Sequence, residues 1–217
     1  MINKIENKDI CAKCGGICCK KSGCDYFVSD FESMKFDYLL DILNQGRTSI
    51  VASFAFKRLN NGKLIASTIL SLRARNVGRG PVDLLSFKKT CASLEDNGCY
   101  FSLENRPSGG ASLIPGENLT CYSEVDRLEE LKKWESYQSV LSKLVKRLTG
   151  MSVNQKLKED VEVLFYEVLT DDYEDVSELE VIDMKGMLKY LVEVYPEERK
   201  KAILRYKNNS NKLILKK

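Results

Sequence analysis

Eight cysteines and no histidine are the features that most constrain this chain of 217 residues. All eight cysteines lie between Cys11 and Cys121, and the remainder of the chain has none. Without histidine, the chain lacks the side chain that most often ligates metals and acts as a general base near neutral pH. Mechanisms built on Ser-His-Asp, Cys-His or His-x-Glu arrangements are therefore excluded, and the chemistry of the cysteines has to be considered first.

The opening residues and the hydropathy of the chain predict a cytoplasmic protein. Residues 1–10 contain four charged side chains and no apolar run, so no signal peptide is predicted. No segment approaches the roughly 18 consecutive apolar residues of a membrane-spanning helix, so no membrane partner is expected. In a reducing compartment, clustered cysteines are more often metal ligands than disulfides. We therefore expect them to bind a metal ion or a metal cluster.

The first cysteine group has a spacing that suits metal ligation. It consists of Cys11, Cys14, Cys18 and Cys19, with the pattern C-x2-C-x3-C-C, and Cys24 follows five residues later. Two residues between Cys11 and Cys14 allow both sulfur atoms to face one ion at about 2.3 Å. The adjacent pair is harder to place on a single ion, because successive side chains diverge in extended backbone. The spacing leaves open whether Cys24 also binds the metal.

The second group comprises Cys91, Cys99 and, after a loop rich in glycine and proline, Cys121. Neither group alone predicts a closed site. Together they indicate one centre assembled from two distant segments, and binding there would stabilise the fold as well as carry the function. The predicted metal ligands are Cys11, Cys14, Cys18, Cys19, Cys91, Cys99 and Cys121.

Both groups resemble motifs of the YkgJ-like cysteine-cluster family, described as a zinc- or iron-chelating domain. Residues 11–19 have the CxxCxxxCC signature of that family and are followed by Asp30. Residues 91–99 read Cys-x2-Leu-x3-Gly-Cys and precede Arg106 and Pro107, which resembles the second motif of the family. The resemblance implies a metal centre more than it implies a particular reaction.

The resemblance covers roughly residues 11–122, with one departure. The family often has a cysteine three residues after the proline of its Arg-Pro step, where this chain has Gly110, and Cys121 is expected to replace it. Some distant relatives, of the flagellin lysine methylase type, are associated with iron–sulfur clusters and protein modification. They imply redox or methylation-like chemistry with a protein partner or protein substrate. The chain has no glycine-rich strand–helix fingerprint for a methyl donor.

Two functions of different classes therefore compete. In the first, four thiolates hold a [4Fe–4S] cluster, and Arg106, which lies between Cys99 and Cys121, binds or tunes this cofactor. In the second, thiolates hold Zn²⁺ in closed sites, and the protein is a structural or interaction module without catalytic activity. Soft thiolates suit both metals. The irregular cysteine spacing and the resemblance favour the iron–sulfur cluster, and whether the chain is an enzyme stays open.

Hydrophobic periodicity predicts an α+β fold with two domains. Residues 1–122 form the predicted cysteine-rich metal-binding domain, with a β-hairpin and long loops, and residues 123–217 form an all-helical region. Alternating apolar residues flank Asn60, Asn61 and Gly62, a sequence that favours a tight turn, and this pattern predicts the hairpin.

Helix signals occur on both sides of the hairpin. Ser29 and Glu32 match a capping box and predict a helix that ends near Gly46. In the second half, helical periodicity predicts one long helix that ends at Gly150, followed by three more, the last of which begins at Pro196.

Charge is distributed unevenly in the C-terminal half. Residues 159–183 contain eleven acidic side chains and no lysine or arginine, whereas residues 199–217 contain eight basic side chains and no acidic one. These runs are typical of solvated helical faces, and the basic run is alternatively a surface for an anionic partner. It lacks the interleaved aromatic residues of a nucleic-acid platform, so no nucleic-acid partner is expected.

Overall fold

The computed structural model describes residues 13, 15–21, 23–86, 90–96, 98–116, 121–170 and 182–214, with the backbone alone at residues 18, 21, 115, 182–186 and 210–214. The predicted mixture of helices and strands is confirmed, with one hairpin, several helices and a helical C-terminal part. Contacts divide the chain into two compact units, Met1–Ser53 with Ile69–Ser152 and Phe54–Thr68 with Val153–Lys217. These boundaries differ from the predicted domains 1–122 and 123–217, and that domain division stays a prediction.

The first unit contains most of the short elements. Two-residue strand pairs and single helical turns connect its longer helices to the base of the hairpin. In chain order the described elements are helix α1 (Ile17–Lys21), a 3₁₀ turn (Val28–Asp30), helix α2 (Phe36–Asn44), strand β1 (Thr48–Arg58), strand β2 (Leu64–Ala74), strands β3 (Leu94–Glu95) and β4 (Gly98–Cys99), helix α3 (Ser108–Ala111), strands β5 (Ile114–Pro115) and β6 (Cys121–Tyr122), helix α4 (Arg127–Lys133), a second 3₁₀ turn (Trp134–Tyr137) and helix α5 (Gln138–Thr149).

The predicted hairpin is confirmed as β1 and β2, which pair with each other. Its turn closes with the Leu59 N–H donating to the Lys63 carbonyl at 2.8 Å and the Gly62 N–H donating to the Leu59 carbonyl at 2.9 Å. Gly62 has φ +80°, a left-handed conformation that glycine adopts without steric cost. The hairpin therefore forms where turn chemistry and alternating hydrophobicity agree.

Part of the core of the first unit lies between α2 and α5, which pack against each other. The amphipathic spacing of both helices places leucine and valine side chains on their facing sides. Burying each of these side chains stabilises the fold by about 1.5–3 kcal/mol. Those with at most 1 % exposure are Leu39, Leu43, Leu141, Leu144 and Val145.

The predicted helix from Ser29 begins later than expected, at Phe36. The capping box does not form, because the neighbouring Asp30 side chain accepts a hydrogen bond from the Phe27 N–H at 2.8 Å and stabilises a 3₁₀ turn instead. The chain then continues in extended backbone at Phe31 before α2 starts.

The long helix predicted to end at Gly150 is interrupted by the 3₁₀ turn at Trp134–Tyr137. The Gln138 amide explains the interruption, since its Nε2 donates both to the Trp134 carbonyl and to the Leu70 carbonyl at 2.9 Å each. The Leu70 N–H donates back to Gln138 Oε1 at 2.9 Å, so the amide pairs with β2 like a strand residue. The end at Gly150 is confirmed, with φ +73° in a left-handed C-terminal cap.

The second unit contains helices α6 (Val153–Thr170), α7 (Ile182–Val194) and α8 (Pro196–Ile214) together with the hairpin tip. The predicted start of the last helix at Pro196 is confirmed. Helices α6 and α8 pack extensively. None of the described helices is long and apolar enough to cross a membrane. Among its described residues, the buried apolar side chains of this unit are Leu64, Leu157, Val161, Phe165, Leu191 and Ala202.

Candidate metal centre

The end of strand β2 positions the segment that carries Cys24. The Ala74 N–H donates to the Cys24 carbonyl at 2.8 Å, and the Tyr26 N–H donates to the Leu72 carbonyl at 3.0 Å. Residues 24–26 therefore lie along β2, joined to it by a single antiparallel bridge between Asp25 and Arg73. This pairing fixes the backbone of Cys24 at the inner end of the hairpin.

Gly23 and Asn76 bring the chain into this position. The Gly23 N–H donates to Asn76 Oδ1 at 2.7 Å, and Asn76, which is only 2 % exposed, donates through Nδ2 to Ser86 Oγ at 3.1 Å. A Cβ atom on Gly23 would lie 1.8 Å from the Ala74 carbonyl oxygen. Only glycine fits this approach. No local sequence pattern indicates the role of Gly23 or Asn76, because the two residues that contact each other are far apart in the chain.

The second cysteine segment meets the first at the same end of β2. Cys91 forms an antiparallel bridge with Asn76, and the Ala92 N–H donates to the Arg75 carbonyl at 2.8 Å. The Cys91 N–H donates to the Cys19 carbonyl at 2.7 Å. The described residues of the two motifs, far apart in sequence, are therefore in direct contact.

The thiols of Cys91 and Cys99 lie close enough to Cys24 to influence its pKa. Cys91 is 4 % exposed, whereas Cys24 and Cys99 are half-buried. Burial, together with the charges that Cys91 and Cys99 carry as thiolates, raises the pKa of the Cys24 thiol to about 12. Three neighbouring thiolates repel one another, so at neutral pH Cys24 stays protonated unless a cation replaces its proton. A soft metal cation is the species that would do so.

The Cys91 sulfur also accepts a hydrogen bond from the backbone. The Ser93 N–H lies 3.4 Å from Cys91 Sγ, within the longer range that sulfur acceptors allow. N–H donors at a cysteine sulfur favour its thiolate form and tune a metal bound to it. The local turn at residues 91–94 provides this donor, because the Leu94 N–H donates to the Cys91 carbonyl at 3.0 Å.

Cys24 occupies the space beside Gly110, the position at which the YkgJ-like family often has a cysteine. A Cβ atom on Gly110 would lie 2.8 Å from Cys24 Sγ and 3.6 Å from Arg106 Cγ. Cys24 and Arg106 therefore both lie beside Gly110. Arg106, predicted to bind the cofactor, is half-buried there, next to the thiol whose role the sequence left open.

Asp30 connects the N-terminal cysteine segment to helix α3. Its carboxylate accepts hydrogen bonds from the Ser108 N–H at 2.9 Å and from the Ser108 hydroxyl, in addition to the Phe27 N–H. The Gly109 N–H donates to the Asp25 carbonyl at 3.0 Å, which adds a second connection. These bonds hold residues 106–110 against the Cys24 segment.

We expect Asp30→Ala to lower the free energy of unfolding by about 2–4 kcal/mol, because three donors lose a charged acceptor. The loss should be visible as a lower midpoint in chemical denaturation. Asp41→Ala is the matched control, since Asp41 is an exposed residue of α2 and its replacement should change stability by less than about 0.5 kcal/mol. Equal midpoints for the two variants would contradict this role of Asp30.

Two arginines near the centre have structural partners. The Arg73 guanidinium forms an ion pair with Asp25, with Nη2 and Oδ1 2.7 Å apart. Arg75 donates through Nη2 to the Leu43 carbonyl at 2.7 Å and to the Thr48 carbonyl at 2.8 Å, so it connects the end of α2 to β1. Burial lowers the pKa of Arg75. The Arg73–Asp25 pair lies next to Cys24, and Arg106 Cγ lies with the Cys24 sulfur beside Gly110.

The remaining predicted ligands are placed as follows. Cys11 and Cys14 lie outside the described residues, as does the side chain of Cys18. Cys121 is exposed in β6, opposite Pro115 of β5. Across the described ranges, no group of three or more Cys, Asp or Glu side chains could hold a metal ion. The charges of Cys91 and Cys99 raise the pKa of Cys24, but these residues do not form a closed metal site by themselves. The metal site therefore stays a prediction.

Comparison of the chain with protein-family models, with curated proteins and with solved structures found no match. The resemblance to the YkgJ-like family stays a prediction that rests on the two cysteine motifs and on the Arg-Pro step that follows the second motif.

Proposed function

We propose that this protein binds a metal cluster through cysteine thiolates contributed by two segments, and that the cluster is [4Fe–4S]. The observation that carries the proposal is the contact between the two cysteine segments, in which the Cys91 N–H donates to the Cys19 carbonyl at 2.7 Å, and the charges of Cys91 and Cys99 raise the pKa of the nearby Cys24 thiol. Since neighbouring thiolates repel one another, an arrangement of this kind is stabilised by a cation. Thiolates are the ligands that iron–sulfur clusters use most.

The connection between the two motifs supports the same proposal. The Cys91 N–H donates to the Cys19 carbonyl, which brings the end of the first motif beside the second. Packing of Gly16 against Leu94 adds to this, because a Cβ on Gly16 would lie 2.6 Å from Leu94 Cδ1. The thiols of Cys11, Cys14 and Cys18 belong to the same N-terminal segment, and we propose that this segment completes the ligand set.

We further propose that Cys24, rather than Cys121, supplies the thiolate that the family pattern places at residue 110. Cys24 Sγ lies beside Gly110, and its pKa responds to Cys91 and Cys99. Cys121, in contrast, is exposed at the surface in a two-residue strand. A half-buried thiol excludes water from a cluster better than an exposed one does.

A bound cluster would supply one-electron transfer. The residues of this chain would hold it, limit its access to water and place positive charge beside it. We assign this role to Arg106, because its Cγ and the Cys24 sulfur both lie beside Gly110. A guanidinium there would offset the negative charge of a four-thiolate centre and could bind an acidic group of a protein substrate. Redox or protein-modification chemistry is the activity we propose for the centre.

The test is an absorption spectrum of the protein purified without oxygen, together with elemental analysis for iron, zinc and acid-labile sulfide. We expect a brown protein with broad visible absorption and with iron and sulfide in equal amounts. A colourless protein that contains one or two zinc ions per chain would refute the cluster and identify the cysteines as a closed structural site. A protein without either metal would refute metal binding altogether.

A further inference from the structure

The hydroxyl of Ser93 is a buried polar group close to the candidate centre. Ser93 is 2 % exposed, and its hydroxyl oxygen has no hydrogen-bond partner among the described residues. Its backbone groups are both used, because the N–H donates to Cys91 Sγ at 3.4 Å and the carbonyl accepts from the Tyr100 N–H at 2.8 Å. The side chain alone lacks a partner.

A buried hydroxyl without a partner costs free energy, and native proteins nearly always satisfy such groups. Alanine would fill the same space without that cost. A cysteine sulfur lies close to the Ser93 backbone, since the Ser93 N–H donates to Cys91 Sγ at 3.4 Å. A thiolate or an inorganic sulfide accepts hydrogen bonds readily, and a hydroxyl can rotate its proton toward one. Ser93 is therefore suited to donate to a sulfur of a bound centre.

We propose that the Ser93 hydroxyl donates a hydrogen bond to a sulfur atom of the cluster that Cys91 helps to hold, and that this bond raises the reduction potential of the cluster. This inference rests on the proposed function. Reduction adds one negative charge that spreads over the sulfur atoms, so a hydrogen-bond donor stabilises the reduced form more than the oxidised form. Ser93 would then be a positioning residue that adjusts the cluster without ligating it.

The experiment compares wild type with Ser93→Ala, using the full chain purified without oxygen. Iron and sulfide per chain are measured first, and the reduction potential is then measured by redox titration followed in the visible spectrum. We expect Ser93→Ala to keep the wild-type iron content and to have a more negative potential. Ser93→Thr keeps the hydroxyl and should keep the potential close to that of wild type.

Ser49→Ala is the matched control. Ser49 is as buried as Ser93, but its hydroxyl donates to the Gly80 carbonyl at 2.7 Å. Its replacement removes a buried hydroxyl elsewhere in the same unit and should leave the potential unchanged. A general effect of buried serines would instead shift both variants alike, and that result would overturn the inference.

The failure of the inference is distinguishable from the failure of the proposed function. Wild-type protein without iron and sulfide would refute the proposed function whatever Ser93 does. If wild type and Ser93→Ala both contain iron and have equal reduction potentials, only the inference is refuted, because the hydroxyl then does not act on the cluster. Loss of iron from Ser93→Ala would also overturn it, because the proposed bond adjusts the cluster and does not hold it.

Discussion

Replacing Gly23 with alanine is expected to destabilise the cysteine-bearing unit by at least about 3 kcal/mol. The added Cβ would lie 1.8 Å from the Ala74 carbonyl oxygen and 2.7 Å from the Ala74 carbonyl carbon, both backbone atoms that cannot turn away. The segment cannot shift either, because the Gly23 N–H donates to the buried Asn76 and the Cys24 carbonyl accepts from Ala74. Chemical denaturation of the purified variant measures the loss.

Gly80→Ala is the control for this prediction. Apart from Gly80 itself and its two chain neighbours, no described atom lies within 4 Å of the position that a Cβ on Gly80 would take. Its replacement should therefore change the free energy of unfolding by less than about 0.5 kcal/mol. If both glycine variants unfold at the same denaturant concentration as wild type, the close approach of Gly23 to β2 is incorrect, and with it the placement of Cys24.

The elements predicted correctly are those for which local signals agree. The hairpin formed because alternating hydrophobicity met a turn that tolerates the left-handed conformation of Gly62. The helix from Ser29 began late, because Asp30 bonds to Phe27 and to Ser108, and no local pattern reveals a partner that far along the chain. Tertiary hydrogen bonds displaced a local capping signal in this case.

For the candidate site, cysteine spacing predicted that two segments belong together, and their described residues are in contact through Cys19 and Cys91. Spacing gave no reason to assign Cys24, because its neighbouring thiols are distant in sequence. The one signal that could have identified it was Gly110. The family often has a cysteine at this position. Glycine has no side chain, so it leaves space for another thiol, and Cys24 occupies that space.

Cysteine variants test this assignment directly, and we expect Cys24→Ser and Cys91→Ser each to lower metal content per chain at least about tenfold. Residues that merely hydrogen-bond to metal ligands change metal affinity by about 10–100-fold, so loss of a ligand should cost no less. Metal binding also stabilises the fold. At a metal concentration 100 times the dissociation constant the gain is about 2.7 kcal/mol, and both variants should lose it. Elemental analysis and denaturation with and without metal measure the two effects.

Cys121→Ser is the matched control, since it replaces an exposed thiol of the same chain by the same side chain. We expect it to keep wild-type metal content and the metal-dependent part of the stability. The opposite pattern, with metal lost from Cys121→Ser and kept in Cys24→Ser, would return the ligand role to Cys121 as the sequence predicted. The stability of each variant is measured with and without metal. If Cys24→Ser lowers the free energy of unfolding by the same amount in both conditions, the substitution has removed only packing. Only a loss confined to the metal-bound form identifies Cys24 as a ligand.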